Sequence, residues 1–276
     1  MVSAEWLKHR LGAADLRVVD ATLPLLGQPG HGLDFYNAGH IPGAVFFDIN
    51  AIADLTTDLP HMLPTPEAFA AAAGALGLDA AATVVVYDAH GLWSAPRVWW
   101  MFRIMGARDV RLLEGGIDRW KREGRLVTAR QTKVAPCLFE AVFDKTRVAS
   151  LDDMRSVVAS GSAQVADARP AGRFEGVDPE PRQGVRGGHM PGARNVPALS
   201  LGRDGALLPQ DELRAAFEGA GIDLSKPVVT SCGSGVTAAV LTLALETLGH
   251  ADTKLYDGSW TEWGGRPDTP VVKGKA

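Results

Sequence analysis

Val228-Val229-Thr230-Ser231-Cys232-Gly233-Ser234-Gly235-Val236-Thr237 reads as a strand that runs into a cysteine, a glycine-punctuated turn, and a helix whose apolar pattern continues from Ala238 to Leu248. The glycines let the backbone turn where a Cβ would clash, so that successive N–H groups after Cys232 converge near its sulfur. The positive end of the following helix lies beneath. Both influences favour an anion there, and therefore the thiolate, the nucleophilic form of cysteine. The plainer alternative is a buried cysteine that ends a core strand, a common fate of a lone Cys.

Working outward, the order of elements around this stretch occurs twice. The first half reads as a helix around Ala4 to Leu11, a strand Leu16 to Asp20, a polar Gly- and Pro-rich loop from Leu23 to Asn37, and His40-Ile41-Pro42-Gly43-Ala44 followed by apolar Val45-Phe46-Phe47. A helix follows over Thr65 to Leu76, with Thr65 as N-cap and Pro66 at its first position. Then come a strand Thr83 to Asp88, a helix Pro96 to Met105, a strand Val110 to Leu113 and a helix Ile117 to Glu123. In the second half Asp167 answers Asp20 147 residues on, His189 answers His40 at 149, Cys232 answers Asp88 at 144 and Trp263 answers Trp120 at 143. The helix Leu213 to Ala220 and the strand Val228 to Ser231 answer the preceding helix–strand pair. One domain has been duplicated.

Alternating strands and helices predict an α/β fold. Each half is a mainly parallel sheet with helices on both faces, and its functional loops lie at the carboxyl ends of the strands, where Cys232 falls. The expected domains are residues 1–127 and 146–276, joined by a linker over 128–145 that contains Pro136 and shows no clear period. At the cysteine position the first half has Asp88, followed by Ala89-His90-Gly91-Leu92-Trp93 instead of a tight glycine loop. That half therefore lacks the cysteine's chemistry, and Asp88 reads as structural. The active cleft is expected between the halves, with the first domain forming one wall.

Composition narrows the function classes. The chain has 276 residues, 46% of them hydrophobic, a formal net charge of −4 and no basic run, so nothing favours nucleic acid or an acidic membrane surface. Cys137 and Cys232 form neither a CxxC nor a zinc-ligand spacing, and suggest a reducing compartment. No leader pattern opens the sequence and no apolar run reaches membrane-spanning length, which points to a soluble cytoplasmic protein.

The whole pattern resembles the two-domain rhodanese-like sulfurtransferases, most closely those that act on 3-mercaptopyruvate. The marks are the two His-x-Pro-Gly-Ala segments, Ser94-Ala95-Pro96-Arg97-Val98-Trp99-Trp100, Asp257-Gly258-Ser259-Trp260 and above all Cys232-Gly233-Ser234-Gly235-Val236-Thr237. Thiosulfate-preferring members have basic side chains where this chain has Gly233 and Ser234. That difference fits a donor with one carboxylate better than a dianion.

The resemblance implies that Arg173 and Arg182 form the substrate-binding pair. An arginine fork donates two aligned hydrogen bonds to a planar carboxylate and its neighbouring keto oxygen. Read without the resemblance, both are surface arginines, solvated or loosely paired with Glu175 and Glu180. The resemblance also raises a serine–histidine–aspartate relay, here Ser234 with His40, for which Asp34 is a poor spacing match; His189 reads as structural. Cys137 reads as inert, and the seven tryptophans as core or cleft wall.

The reaction implied is a ping-pong transfer through a Cys232 persulfide, with the N–H groups of Gly233 to Thr237 around the sulfur and Ser234 moving a proton. The implied donor is 3-mercaptopyruvate. The implied acceptor is thioredoxin, a small thiol or cyanide, and no metal or organic cofactor is needed. The alternatives are a thiosulfate sulfurtransferase, a cysteine phosphatase, whose longer loop would carry an arginine, and a non-catalytic sulfur-carrier or binding module.

Overall fold

The structure is a computed structural model, and it describes residues 1–25 and 27–275. Two compact units emerge. The first comprises Met1–Leu55, Leu63–Asp144 and the short piece Asp204–Ala206; the second comprises Thr56–Met62, Lys145–Arg203 and the chain from Leu207 on.

In the first unit the order is α1 (Ala4–Arg10), β1 (Leu16–Asp20), α2 (Gly32–Ala38), β2 (Ala44–Phe46), α3 (Pro66–Ala75), β3 (Thr83–Tyr87), α4 (Ala95–Ile104), β4 (Asp109–Leu112) and α5 (Gly116–Arg122). The strands form a four-stranded sheet in the order β2-β1-β3-β4, and every pairing is parallel. Both faces are buried because alternate residues point to opposite sides. Val18, Val85 and Tyr87 join Leu7, Tyr36, Ile117 and Trp120 in one core cluster. Val19, Val84 and Val86 are equally buried, and α3 and α4 bring Phe69 and Phe102 together with Phe47 and Phe139.

Two stretches differ from the sequence expectation. The loop expected from Leu23 to Asn37 includes residue 26, which lies outside the described residues, and its far end is helical: α2 begins there on a reciprocal cap. The His31 ring accepts from the Leu33 N–H at 3.2 Å, while the Asp34 carboxylate accepts from the His31 N–H at 2.8 Å. Glycine and polar residues mask this start in the sequence, and the cap replaces the missing propensity. Of the stretch 128–145 expected as linker, residues 128–144 belong to the first unit and are bonded to it. Thr128 and His40 exchange backbone hydrogen bonds, Cys137 N–H donates to the Gly74 carbonyl at 2.9 Å, and Phe139 is 2% exposed within the aromatic cluster.

The second unit contains β5 (Val148–Ala149), α6 (Leu151–Ser160), β6 (Gln164–Asp167), α7 (Ala171–Phe174), β7 (Arg194–Asn195), β8 (Gly202–Arg203), β9 (Ala206–Leu207), α8 (Gln210–Gly219), β10 (Val228–Ser231), α9 (Ala238–Thr247), β11 (Thr253–Tyr256) and α10 (Ser259–Gly265). Its five-stranded sheet has the order β5-β11-β10-β6-β7, again all parallel, and β8 pairs with β9 in a separate ribbon. The eight residues of α9 from Ala238 to Leu245 are all buried, as a helix apolar on every side requires. Beside β10 lies β6, with Ser231 in register with Asp167. That register sets the carboxyl end of β6, and the loop after it, next to Cys232. Among the described residues no helix is long and apolar enough to cross a membrane.

Candidate active site

Cys232 leaves the central strand β10 at its carboxyl end and is 2% exposed. The turn after it takes its shape from one glycine, Gly235, at φ 76°, in the left-handed region that a side chain rarely adopts. Gly233 serves differently. An added Cβ there would sit 3.2 Å from Arg173 Nη2, tighter than ordinary contact, and 3.9 Å from Arg182 Nη1, an ordinary contact, so its bare Cα makes room for the Arg173 guanidinium at the loop.

The loop is held from behind by the segment that opens α10. The Ser259 hydroxyl accepts from the N–H of Cys232 at 3.2 Å and of Gly235 at 3.1 Å, and donates to the Tyr256 carbonyl at 2.8 Å. Trp260 N–H donates to the Cys232 carbonyl at 2.9 Å, and the N–H and hydroxyl of Thr261 both donate to the Gly233 carbonyl, at 2.9 and 2.6 Å. Ser259 is fully buried and sits at φ 49°, a strained setting for a residue with a side chain. The N–H groups of Gly233, Ser234, Val236 and Thr237 donate to no acceptor among the described residues. Gly235, grouped with them on sequence, uses its N–H on Ser259 instead.

The duplicated half shows what such a loop holds. There the Asp88 carboxylate, wholly buried, accepts N–H bonds from His90 at 2.8 Å and Gly91 on one oxygen, and from Trp93, Ser94 and Ala95 at 3.0, 2.8 and 2.7 Å on the other. A ring of N–H groups after the strand encloses an anion, and in the first half the protein supplies that anion itself. Asp88 is thus structural. The equivalent position in the second half is the sulfur of Cys232.

Both predicted arginines reach the loop, but their settings differ. Arg173, on α7, donates from Nη2 to Glu180 Oε2 at 2.6 Å and from Nε to Oε1 at 3.3 Å. Glu180 also accepts from Arg169 Nη1 at 2.9 Å. Arg169 is itself clamped on Asp167, stacks over Trp260 at 4.3 Å, and is 1% exposed. Burial works against the Arg169 charge, and the two carboxylates outweigh it, holding its pKa above the ordinary arginine value. The side chain of Arg182 donates to no acceptor among the described residues. Burial, and then the neighbouring Arg173 guanidinium, push its pKa below the ordinary value, while the Cys232 sulfur and Glu180 oppose the shift. Glu175, the other carboxylate considered for the pair, makes no ion pair among the described residues.

Ser234 is 8% exposed, and its hydroxyl lies 3.0 Å from Nδ1 of His61. His61 belongs to Thr56–Met62, the piece of the N-terminal half that is grouped with the second unit, and its φ of 62° is left-handed. The relay partner considered on sequence, His40, is elsewhere. It is fully buried in the first unit, stacked on Tyr36 at 3.7 Å, with Nδ1 2.8 Å from the Tyr36 carbonyl. His189 repeats this arrangement with Phe174, stacked at 3.8 Å with Nδ1 2.9 Å from the Phe174 carbonyl. The two histidines are therefore one structural device used twice, and Asp34 is engaged in the α2 cap. His61 was missed because it has no counterpart in the repeat: its one sequence signal is a histidine just before Met62-Leu63-Pro64. Cys137 is exposed, burial in part pushes its thiol pKa up, and no glycine loop comes after it.

Comparison with known proteins agrees with this arrangement. The model of the rhodanese-like domain matches residues 3–123 and again 150–266. The 3-mercaptopyruvate sulfurtransferase of Escherichia coli (strain K12) is 46% identical over 271 residues, covering 98% of this chain and 96% of the relative. The human protein of the same name is 42% identical over 286 residues, covering 100% and 96%. The crystal structure of SseA from Escherichia coli, described as a 3-mercaptopyruvate sulfotransferase with the rhodanese fold, superposes with a TM-score of 0.88 at 44% identity, covering 94% of this chain and 98% of that one. With two copies of the domain and relatives similar along nearly the whole length, the chain belongs to the rhodanese-like family.

Proposed function

We propose that the protein transfers the sulfur of 3-mercaptopyruvate through a persulfide on Cys232 and releases pyruvate. The observation that carries this reading is the convergence of Arg173 and Arg182 on Gly233, the residue after a buried cysteine whose loop leaves four N–H groups without acceptors among the described residues. The names of the relatives supply the donor.

The chemistry balances without an external oxidant or reductant. The Cys232 thiolate attacks the donor sulfur, the carbon–sulfur bond breaks, and its electron pair passes into the enolate of pyruvate, which takes up a proton. Arg182 and the unengaged Nη1 of Arg173 hold the donor carboxylate and offset charge on the enolate oxygen. The N–H groups of Gly233, Ser234, Val236 and Thr237 stabilise the persulfide anion, as the Asp88 loop stabilises its carboxylate. Ser234, backed by His61, passes a proton to or from the reacting groups. An acceptor thiolate, from thioredoxin or a small thiol, or cyanide then attacks the outer sulfur and restores the Cys232 thiolate. Because the nucleophile must stay reduced, the reading sets the reaction in the cytoplasm.

The test is turnover with 3-mercaptopyruvate and a thiol acceptor, with pyruvate measured as product. Absence of pyruvate from a folded protein overturns the reading in favour of a sulfur carrier or binding module.

A further inference from the structure

Two carboxylates and three guanidinium groups lie beside Cys232. Asp167 and Glu180 are negative, and Arg169, Arg173 and Arg182 are positive. The first four form one hydrogen-bonded cluster. Asp167 clamps Arg169 through Nε and Nη2, Arg169 Nη1 reaches Glu180 Oε1 at 2.9 Å, and Glu180 Oε2 holds Arg173 Nη2 at 2.6 Å. The side chains of Asp167, Arg169 and Glu180 are 2%, 1% and 4% exposed, so solvent screens their mutual attraction little. Two carboxylates thus compensate two guanidinium groups, and the Arg182 charge faces the Cys232 sulfur and the donor.

We propose that Glu180 determines donor specificity: by neutralising Arg173 while fixing its orientation, it removes one positive charge from the donor pocket, which suits a carboxylate monoanion over a dianion such as thiosulfate. This deepens the reading above and rests on it for the identity of the reaction. Glu180 acts as a positioning residue through Arg173, whose Nη1 remains able to donate while its charge is compensated. Each positive charge so removed weakens the attraction of the pocket for a dianion twice as much as for a monoanion.

The test reads binding, not turnover. Cys232 is alkylated with iodoacetamide, a neutral reagent, and the modified peptide is quantified by mass while pyruvate (a monoanion) or sulfate (a dianion) protects it at fixed ionic strength. Wild-type protein should be half-protected by less pyruvate than sulfate. In Glu180→Gln the half-protecting sulfate concentration should fall at least about fivefold relative to that of pyruvate, because the dianion gains twice from one added unit of positive charge. Glu180→Asp, which keeps the charge, should retain the wild-type order. An unmoved ratio in folded Glu180→Gln, or the same shift in Glu180→Asp, overturns the proposal.

If Glu180→Gln fails to fold, Arg182→Gln answers instead, at a side chain that donates to no acceptor among the described residues. Protection by both anions should weaken at least about tenfold, since no uncompensated cation remains. Retained protection would mean that Arg173 carries charge of its own, against the proposal. A wild-type protein that is protected by these anions with the expected preference yet makes no pyruvate would sink the proposed function and, with it, the role of Glu180 in donor choice, leaving only the charge preference of the pocket.

Discussion

The hydroxyl of Ser259 accepts the backbone N–H of Cys232 at 3.2 Å, across 27 residues of sequence, and accepts that of Gly235 as well. One buried oxygen thereby fixes both ends of the turn that begins at Cys232. Ser259→Ala should leave two buried N–H groups without an acceptor, at a cost of about 1–3 kcal/mol. The expected result is a lower Tm with a fall in kcat larger than any change in KM, since the loop loses its shape and the arginines keep theirs. A variant with wild-type Tm and kcat would show that the loop holds without this bond.

Cys232 alone should carry the transferred sulfur. Intact-protein mass should rise by one sulfur atom after exposure to 3-mercaptopyruvate without acceptor. The gain should vanish in Cys232→Ser and persist in Cys137→Ser, because Cys137 has neither the glycine loop nor the arginines beside it. Sulfur retained by Cys232→Ser would refute the assignment.

The two arginines should separate in stability although both are proposed to hold the donor. Each alanine substitution removes a charge-assisted contact worth about 1.5–3 kcal/mol, or tenfold and more in kcat/KM. Arg182→Ala should leave Tm unchanged, since the side chain donates to no acceptor among the described residues. Arg173→Ala should lower it, since Glu180, 4% exposed, loses one of its two cations. Equal melting curves for the two variants would contradict the pairing described for Glu180.

Neutral residues around Cys232 make room as well as setting charge. In Gly233→Ala the new Cβ would meet Arg173 Nη2 at 3.2 Å, tighter than ordinary contact, so the guanidinium must shift and KM for 3-mercaptopyruvate should rise several-fold. Gly235→Ala should instead cost roughly 1–2 kcal/mol of stability, read as a lower Tm, because φ 76° is left-handed. For the same reason of space the paired change Gly233→Arg with Ser234→Lys should lower activity with both thiosulfate and 3-mercaptopyruvate. It sets a cation against Arg173 and breaks the Ser234–His61 contact. A folded double variant that gains thiosulfate activity would show that loop charge outweighs this crowding.

In the first unit Asp20 is 2% exposed, and the residue two further on, where Asp167 has Arg169, is Thr22. Burial raises the Asp20 pKa above the usual carboxylate range. A carboxyl whose folded value is raised destabilises the fold as pH climbs from the unfolded value through the folded one, and the penalty is constant above that. Asp20→Asn should therefore raise Tm at pH 7 and change it little at pH 3. An equal effect at both pH values would contradict ionisation of a buried Asp20 as the cause.

The sequence alone determined the duplication, the parallel α/β sheets and the strand–cysteine–glycine–helix unit. Each of these is local: alternation of apolar residues, a Pro66 at a helix start, glycines in a turn. It also singled out Cys232 as the proposed nucleophile, because Asp88 answers it in a copy without the loop. Tertiary structure decided what lies around that loop. Ser259, Thr261 and Glu180 act through contacts 7 to 28 residues apart that no period encodes. His61 comes from the opposite half of the chain, 173 residues before Ser234, and it displaced His40 from the expected relay because His40 is committed to stacking on Tyr36. Side-chain partners depend on which segments the sheets bring side by side, and the register of Ser231 with Asp167 is set by the packing of the whole second sheet.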